Sequence, residues 1–171
     1  MVTNLFFEKD PNCKKNVEIY DNEGTLVLTT SGKEIFMGNY LVKHANYSNN
    51  VVAYSPSDLF FLMIDGHRID SCGDTILISS LEPKIDCDDV IFSTSTDFLM
   101  EEIKENKENY KKAYWVVIKS QTGKAICAYN CNEVAAEVMD DYPKTTKILI
   151  DGEWLYVHRA NINIIDSKLI K

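Results

Sequence analysis

The dipeptide Asp151-Gly152, set between Lys147-Ile-Leu-Ile and Glu153-Trp-Leu-Tyr-Val, constrains this chain more than any other feature. A two-residue loop of this kind needs positive φ at both positions, which Asp-Gly supplies, and it closes two antiparallel strands. Similar punctuation recurs. Val17-Glu-Ile-Tyr and Thr25-Leu-Val-Leu-Thr-Thr flank the turn Asp21 to Gly24, and Ser31-Gly-Lys33 turns into a further strand, Glu34-Ile-Phe-Met. Tyr114-Trp-Val-Val-Ile-Lys and Lys124-Ala-Ile-Cys-Ala-Tyr flank Gln121-Thr-Gly123, while Thr75-Ile-Leu-Ile-Ser, Asp89-Val-Ile-Phe-Ser and the edge segment with Ile162, Ile164 and Ile165 also read as strands.

Helical signals are interspersed among these strands. Residues 97 to 112 place Phe98, Leu99, Ile103 and Tyr110 on a narrow apolar stripe. Asn132 can cap a helix with Val134, Val138 and Tyr142 on one face, stopped by Pro143, which gives the C-terminal region the order ββαββ. Ser55-Pro56-Ser57-Asp58 has the order of a helix start, and residues 56 to 66 suit a short buried helix or a strand. Tyr40 to Tyr47 suits a short helix. The expectation is a single α+β domain over residues 1–171, mainly antiparallel sheet with two or three helices. Similar halves, 17–80 and 108–165, are suggested by two matches: Ser31-Gly-Lys-Glu-Ile with Thr122-Gly-Lys-Ala-Ile, and Met63-Ile-Asp-Gly with Leu149-Ile-Asp-Gly. The two matches have different offsets.

Charge divides the chain unevenly. The net charge is −8, and residues 65 to 108 hold 12 acidic against 4 basic side chains, which accounts for the whole excess. Such a field repels phosphates and attracts basic surfaces, so direct nucleic-acid binding is disfavoured and a basic protein partner is favoured. The alternative is a solvated face that keeps the protein soluble. Lysine outnumbers arginine 16 to 2, a bias expected of a low-GC bacterium, its phage or a large DNA virus.

Conventional reaction centres are missing from the sequence. It has no Gly-x-Ser-x-Gly, Walker loop, His-Glu-x-x-His or dinucleotide glycine fingerprint. Cys127 and Cys131 have no second pair at zinc-site spacing, and Asp86-Cys-Asp-Asp lacks the spacing of an EF-hand loop, so no metal and no cofactor are expected. Five irregularly spaced cysteines, no basic signal-like amino terminus and no apolar run long enough for a membrane span suggest reduced thiols in a cytoplasm.

Phe92-Ser93-Thr94-Ser95 is similar to the Ser-Thr-Ser strand of ADP-ribosyltransferases, with Arg68 upstream and Asp151-Gly152-Glu153 downstream. That resemblance would imply NAD binding, with Glu153 stabilising an oxocarbenium-like charge.

The sequence therefore leads to an acidic binding protein of inhibitor, immunity or nucleic-acid-mimic type. Asp86, Asp88, Asp89, Glu101, Glu102, Glu105 and Glu108 would steer a basic partner, with Phe92, Phe98 and Tyr110 as desolvated anchors. An NAD-dependent transferase and a virion or scaffold subunit, the latter a homo-oligomer, are the alternatives.

Overall fold

The structure, a computed structural model, describes residues 2–4, 13–46, 48–83, 85–86, 96–106, 108–140, 142 and 144–171. Its strands are β1 (Val2–Asn4), β2 (Lys15–Tyr20), β3 (Leu26–Gly32), β4 (Ile35–Asn46), β5 (Val51–Ile64), β6 (His67–Cys72), β7 (Thr75–Ser79) and β8 (Ile85–Asp86). After helix α1 (Thr96–Glu105) come β9 (Tyr114–Lys119), β10 (Ala125–Cys131), β11 (Val134–Val138), β12 (Thr145–Ile150), β13 (Glu153–His158) and β14 (Asn161–Asp166). They form three antiparallel sheets in the orders β1-β4-β5-β6, β14-β9-β10-β8 and β11-β12-β13-β7-β2-β3.

This corrects the α+β expectation. The fold is mostly β, with 62% strand, and α1 is the one α-helix among the described residues. The C-terminal ββαββ unit is instead all strand, because Val134 to Val138 pair along β12 from Val134↔Ile150 to Val138↔Thr146. A spacing of four puts Val134 and Val138 on one face of a helix and equally on one face of a strand, so that cue is ambiguous. Pairing decided it: the amides of Asn132 and Glu133 donate to the Asp151 carboxylate at 2.8 and 3.0 Å rather than opening a helix.

Residues 40–46 and 56–64 resolve in the same way, while Tyr47 lies outside the described residues. They belong to the strands of the long hairpin of β4 and β5, where Pro56 pairs with Leu41 beside a register shift, a place where a missing N–H is tolerated. The helix expected over 97–112 is shorter, ending at Glu105.

Strand pairing repeats along the chain. β2·β3, β2·β7, β4·β5 and β5·β6 have the counterparts β9·β10, β9·β14, β11·β12 and β12·β13. The turns correspond atom for atom. Gly24 donates to Asp21 O and Gly123 to Ser120 O, both glycines having positive φ, an offset of 99 residues. Asp65 and Asp151, 86 apart, each open a turn with positive φ at both residues. Asp65 accepts from the amides of Lys33 and Glu34 as Asp151 does from Asn132 and Glu133. The 13-residue difference between the offsets is the excess length of the β4–β5 hairpin over β11–β12. Thr122-Gly123 thus corresponds to Glu23-Gly24, not to Ser31-Gly32.

The two sets of strands join where β13 pairs with β7, from Leu155↔Ser79 to His158↔Ile76. Each core borrows from the other set: Tyr142 and Tyr156 pack with Val17, Ile35, Phe60 and Leu62, while Tyr20 and Leu77 pack with Val116, Ile118, Ile148 and Leu155. Burial on both faces explains why β7 is buried throughout its length and reads as a continuous apolar run.

In the sheet β1-β4-β5-β6, here termed the arm sheet, Gly38 faces Phe61 across the β4–β5 pair, and a Cβ there would run into the ring. Gly38→Ala is therefore expected to displace that ring and cost about 1–3 kcal/mol, as overpacking does. Urea denaturation measures it, and an unchanged midpoint would mean that the ring moves freely.

Candidate interaction surface

The four-stranded sheet β14-β9-β10-β8 has an outer face that α1 covers. Trp115 and Val117 of β9 alternate outward while Val116 and Ile118 point to the interior, so one strand serves two cores. A register shift between Ala125 and Cys127 changes the phase of β10, which sends Ala125 and Ala128 outward and Cys127 and Cys131 inward. Onto Trp115, Val117, Ala125 and Ala128 the helix lays Ile103, fully buried, with Met100 half-buried beside it. Ile85 and Ile170 close the cluster.

Anchoring one side of α1 aims the other side at solvent. Glu101 and Glu105, one turn apart on a shared face, are exposed, as is Glu108 beyond the helix end. Among the described residues no ion pair engages these three carboxylates. Glu102 is half-buried and accepts from Asn106 Nδ2 at 2.8 Å, while the Asn106 amide and side chain both donate to Glu102 O, which finishes the helix. Tyr110 is half-buried with its ring edge-on to Trp115 at 5.1 Å, so it braces the helix seat. Asp86 lies on β8, paired with Cys127, and Phe98 lies on α1. Asp88, Asp89 and Phe92 lie outside the described residues.

The acidic run that is continuous in sequence divides in space. Asp65 clamps the β3–β4 corner, and the bonds from the Glu34 and Lys33 amides hold its carboxyl below the usual range. Asp70 accepts from Arg68 Nε and Tyr40 Oη, each at 2.8 Å, and Asp74 accepts from Ser71 Oγ at 2.7 Å. These carboxylates work inside the sheet β1-β4-β5-β6 and its turns, whereas Glu101, Glu105 and Glu108 are exposed with no ion-pair partner among the described residues.

The residues of the transferase resemblance are engaged in other ways. Arg68 is ion-paired to Asp70 and lies over the Tyr40 and Phe61 rings. Asp151 holds Lys112 at 2.6 Å as well as its two amides, and these bonds, Lys112 first, keep its carboxyl low. Glu153 is exposed and accepts from Ser80 Oγ at 3.4 Å, and Ser93, Thr94 and Ser95 lie outside the described residues. Cys127 and Cys131 are buried in the interior core, where burial pushes the Cys131 thiol up to about 11. Among the described residues no group of three or more His, Cys, Asp or Glu side chains could hold a metal ion.

A family model matches residues 11–170, a span that includes both sets of strands and the helix between them. The chain belongs to the family described as a domain of unknown function, DUF5052. No curated protein and no solved structure matches it. The DUF5052 match takes in β2 through β14, so the family unit is the joined pair of strand sets and not either one alone. Among the described residues no helix is long and apolar enough to cross a membrane.

Proposed function

We propose that this chain is a small binding protein that docks on a basic surface of a partner protein through the outward face of α1. The supporting observation is the contrast between carboxylates. Those of Asp65, Asp70, Asp74 and Asp151 are spent on amides, hydroxyls and cations of the chain itself, while Glu101, Glu105 and Glu108 are exposed without ion-pair partners among the described residues. Exposed carboxylates held to one side by a helix seated on the sheet raise encounter rates with cations and orient the approach. Inhibitors, immunity proteins and mimics of nucleic acid use charge in this manner. We place the protein in a cytoplasm, in keeping with Cys13, Cys72 and Cys131 being free cysteines.

Affinity capture from host lysate at low salt tests the reading. Wild-type protein should retain a protein of high isoelectric point, and the triple reversal Glu101→Lys, Glu105→Lys, Glu108→Lys should reduce its recovery on the order of tenfold or more. Equal recovery by both would contradict the role given to α1.

A further inference from the structure

We propose that the open end of the β12–β13 hairpin carries a binding site for a small phosphate-bearing molecule, held by Arg159 and Lys144. An open pocket of about 440 Å³ lies there, bounded by Lys144, Thr145, Thr146 and Arg159 with Gln121 and Asn161 across from them. No carboxylate among the described residues lines it, in a chain whose net charge is −8.

The repeated strand pairing shows what these two cations cost the backbone. Leu59↔Cys72 in the first set corresponds to Thr145↔His158 in the second, an offset of 86, so Gly73 is the counterpart of Arg159 and Asp58 that of Lys144. Gly73 and Arg159 both have positive φ, 101° and 52°, and Lys144 has 64°. Glycine takes that conformation freely, whereas a side chain strains it. The first set therefore meets the requirement with glycine, and the second meets it with arginine. Neighbours impose the conformation: Arg159 N donates to Lys144 O at 2.9 Å, and Thr75 Oγ1 donates to Arg159 O at 2.6 Å. Backbone strain held in place by its surroundings gathers at ligand sites.

Donors also exceed acceptors at the pair. Asp58 Oδ1 accepts from Lys144 Nζ and from Arg159 Nη2, each at 2.8 Å, so one carboxylate meets two cations and a positive charge is left over. An ammonium and a guanidinium each keep further donors after one such bond, and the buried Arg159 Nε has no hydrogen-bond partner among the described residues. The Arg159 side chain is only 11% exposed, and a charge so far out of water attracts an anion more strongly than a surface arginine does. The Gln121 and Asn161 amides donate to Gly73 O and Ser120 O, which fixes that wall of the pocket. A guanidinium fork beside an ammonium is a donor set suited to phosphate.

Amide-resolved NMR of the full chain, titrated with sodium phosphate against sodium chloride of equal ionic strength, tests this. Phosphate should give saturable shifts confined to Lys144, Thr145, Thr146, Arg159 and Ala160, and acetate should bind more weakly. Arg159→Gly, which installs the residue of the counterpart position, should keep the wild-type urea midpoint and weaken phosphate binding about tenfold or more. Lys144→Asn, a change at an exposed residue to one that tolerates left-handed backbone, should weaken it as well. Shifts that do not saturate or that scatter over other lysines, acetate bound as tightly as phosphate, unchanged binding in either variant, or a large drop in the urea midpoint of Arg159→Gly, which would show the arginine to be kept for the fold, would each overturn the proposal.

Discussion

Trp115→Ala is expected to cost about 3–5 kcal/mol, the range for deleting a large buried aromatic side chain. Trp115 is 2% exposed and stands between the sheet and α1, touching a cluster with Ile103, Val117, Ala125, Ala128 and Ile170, and it meets the Tyr110 ring edge-on. Deletion leaves a void on the outer side of β9 that the sheet cannot close, because Val116 and Ile118 fix the same strand from the inner side. The helix should loosen before the sheets do. Urea denaturation reads the global loss, and far-ultraviolet circular dichroism below the main transition reads the early departure of α1. A loss under 1 kcal/mol would mean that the helix does not rest on Trp115. In the folded variant, partner capture should fall as well, since the glutamates would no longer share one orientation.

The second large effect is acid lability centred on His158. This histidine is 7% exposed, with Nδ1 bonded to Thr145 Oγ1 at 2.7 Å, its ring 4.2 Å from that of Phe60, and a buried Nε2 that has no hydrogen-bond partner among the described residues. Burial lowers its pKa to about 4, and the charges of Arg159 and Lys144 add to the effect against the opposing pull of Asp58. A folded-state value below the unfolded one means that the unfolded chain takes up the proton first. The stability contributed is therefore complete above about pH 6.5 and declines as pH falls toward 4.

Between pH 7 and pH 5 the loss should be about 2 kcal/mol. The carboxyls of Asp21, Asp58, Asp65 and Asp151 are held below their ordinary value, so their contribution is lost only at still lower pH. Urea midpoints at the two pH values should therefore differ in the wild type and nearly coincide in His158→Gln. An equal slope in both proteins would show that another group carries the dependence.

Turn chemistry was legible in the sequence and long-range pairing was not. Asp151-Gly152, Gly24 and Gly123 announce their turns because few residues tolerate positive φ. Val134 and Val138 could not announce a strand, since a spacing of four satisfies both periods, and the partner that decides the matter, β12, follows several residues later. Ser55-Pro56-Ser57-Asp58 imitates a helix cap, but the Asp58 carboxylate reaches Lys144 and Arg159, each at 2.8 Å and far along the chain. The match of Ser31-Gly-Lys with Thr122-Gly-Lys compared letters at unrelated places in the fold, and the true correspondence appears in the hydrogen bonds that the amides of Thr25 and Lys124 donate to side chains as different as those of Asp21 and Ser120.

Charge was legible as an amount and not as a distribution. Counting residues 65 to 108 finds the excess, but only coordinates show that Asp65, Asp70 and Asp74 are consumed by the arm sheet and its turns while Glu101, Glu105 and Glu108 are not. Tyr110, an expected anchor for a partner, packs against Trp115 because the sheet beneath α1 needed cover.

The association rate with the captured partner, measured by stopped flow across a salt series, tests the account most directly. For the wild type the rate should fall roughly tenfold or more from low to high salt, as electrostatic steering requires, and with Glu101, Glu105 and Glu108 reversed to lysine it should start low and change little or rise. Equal rates and equal salt slopes for the two proteins would contradict it.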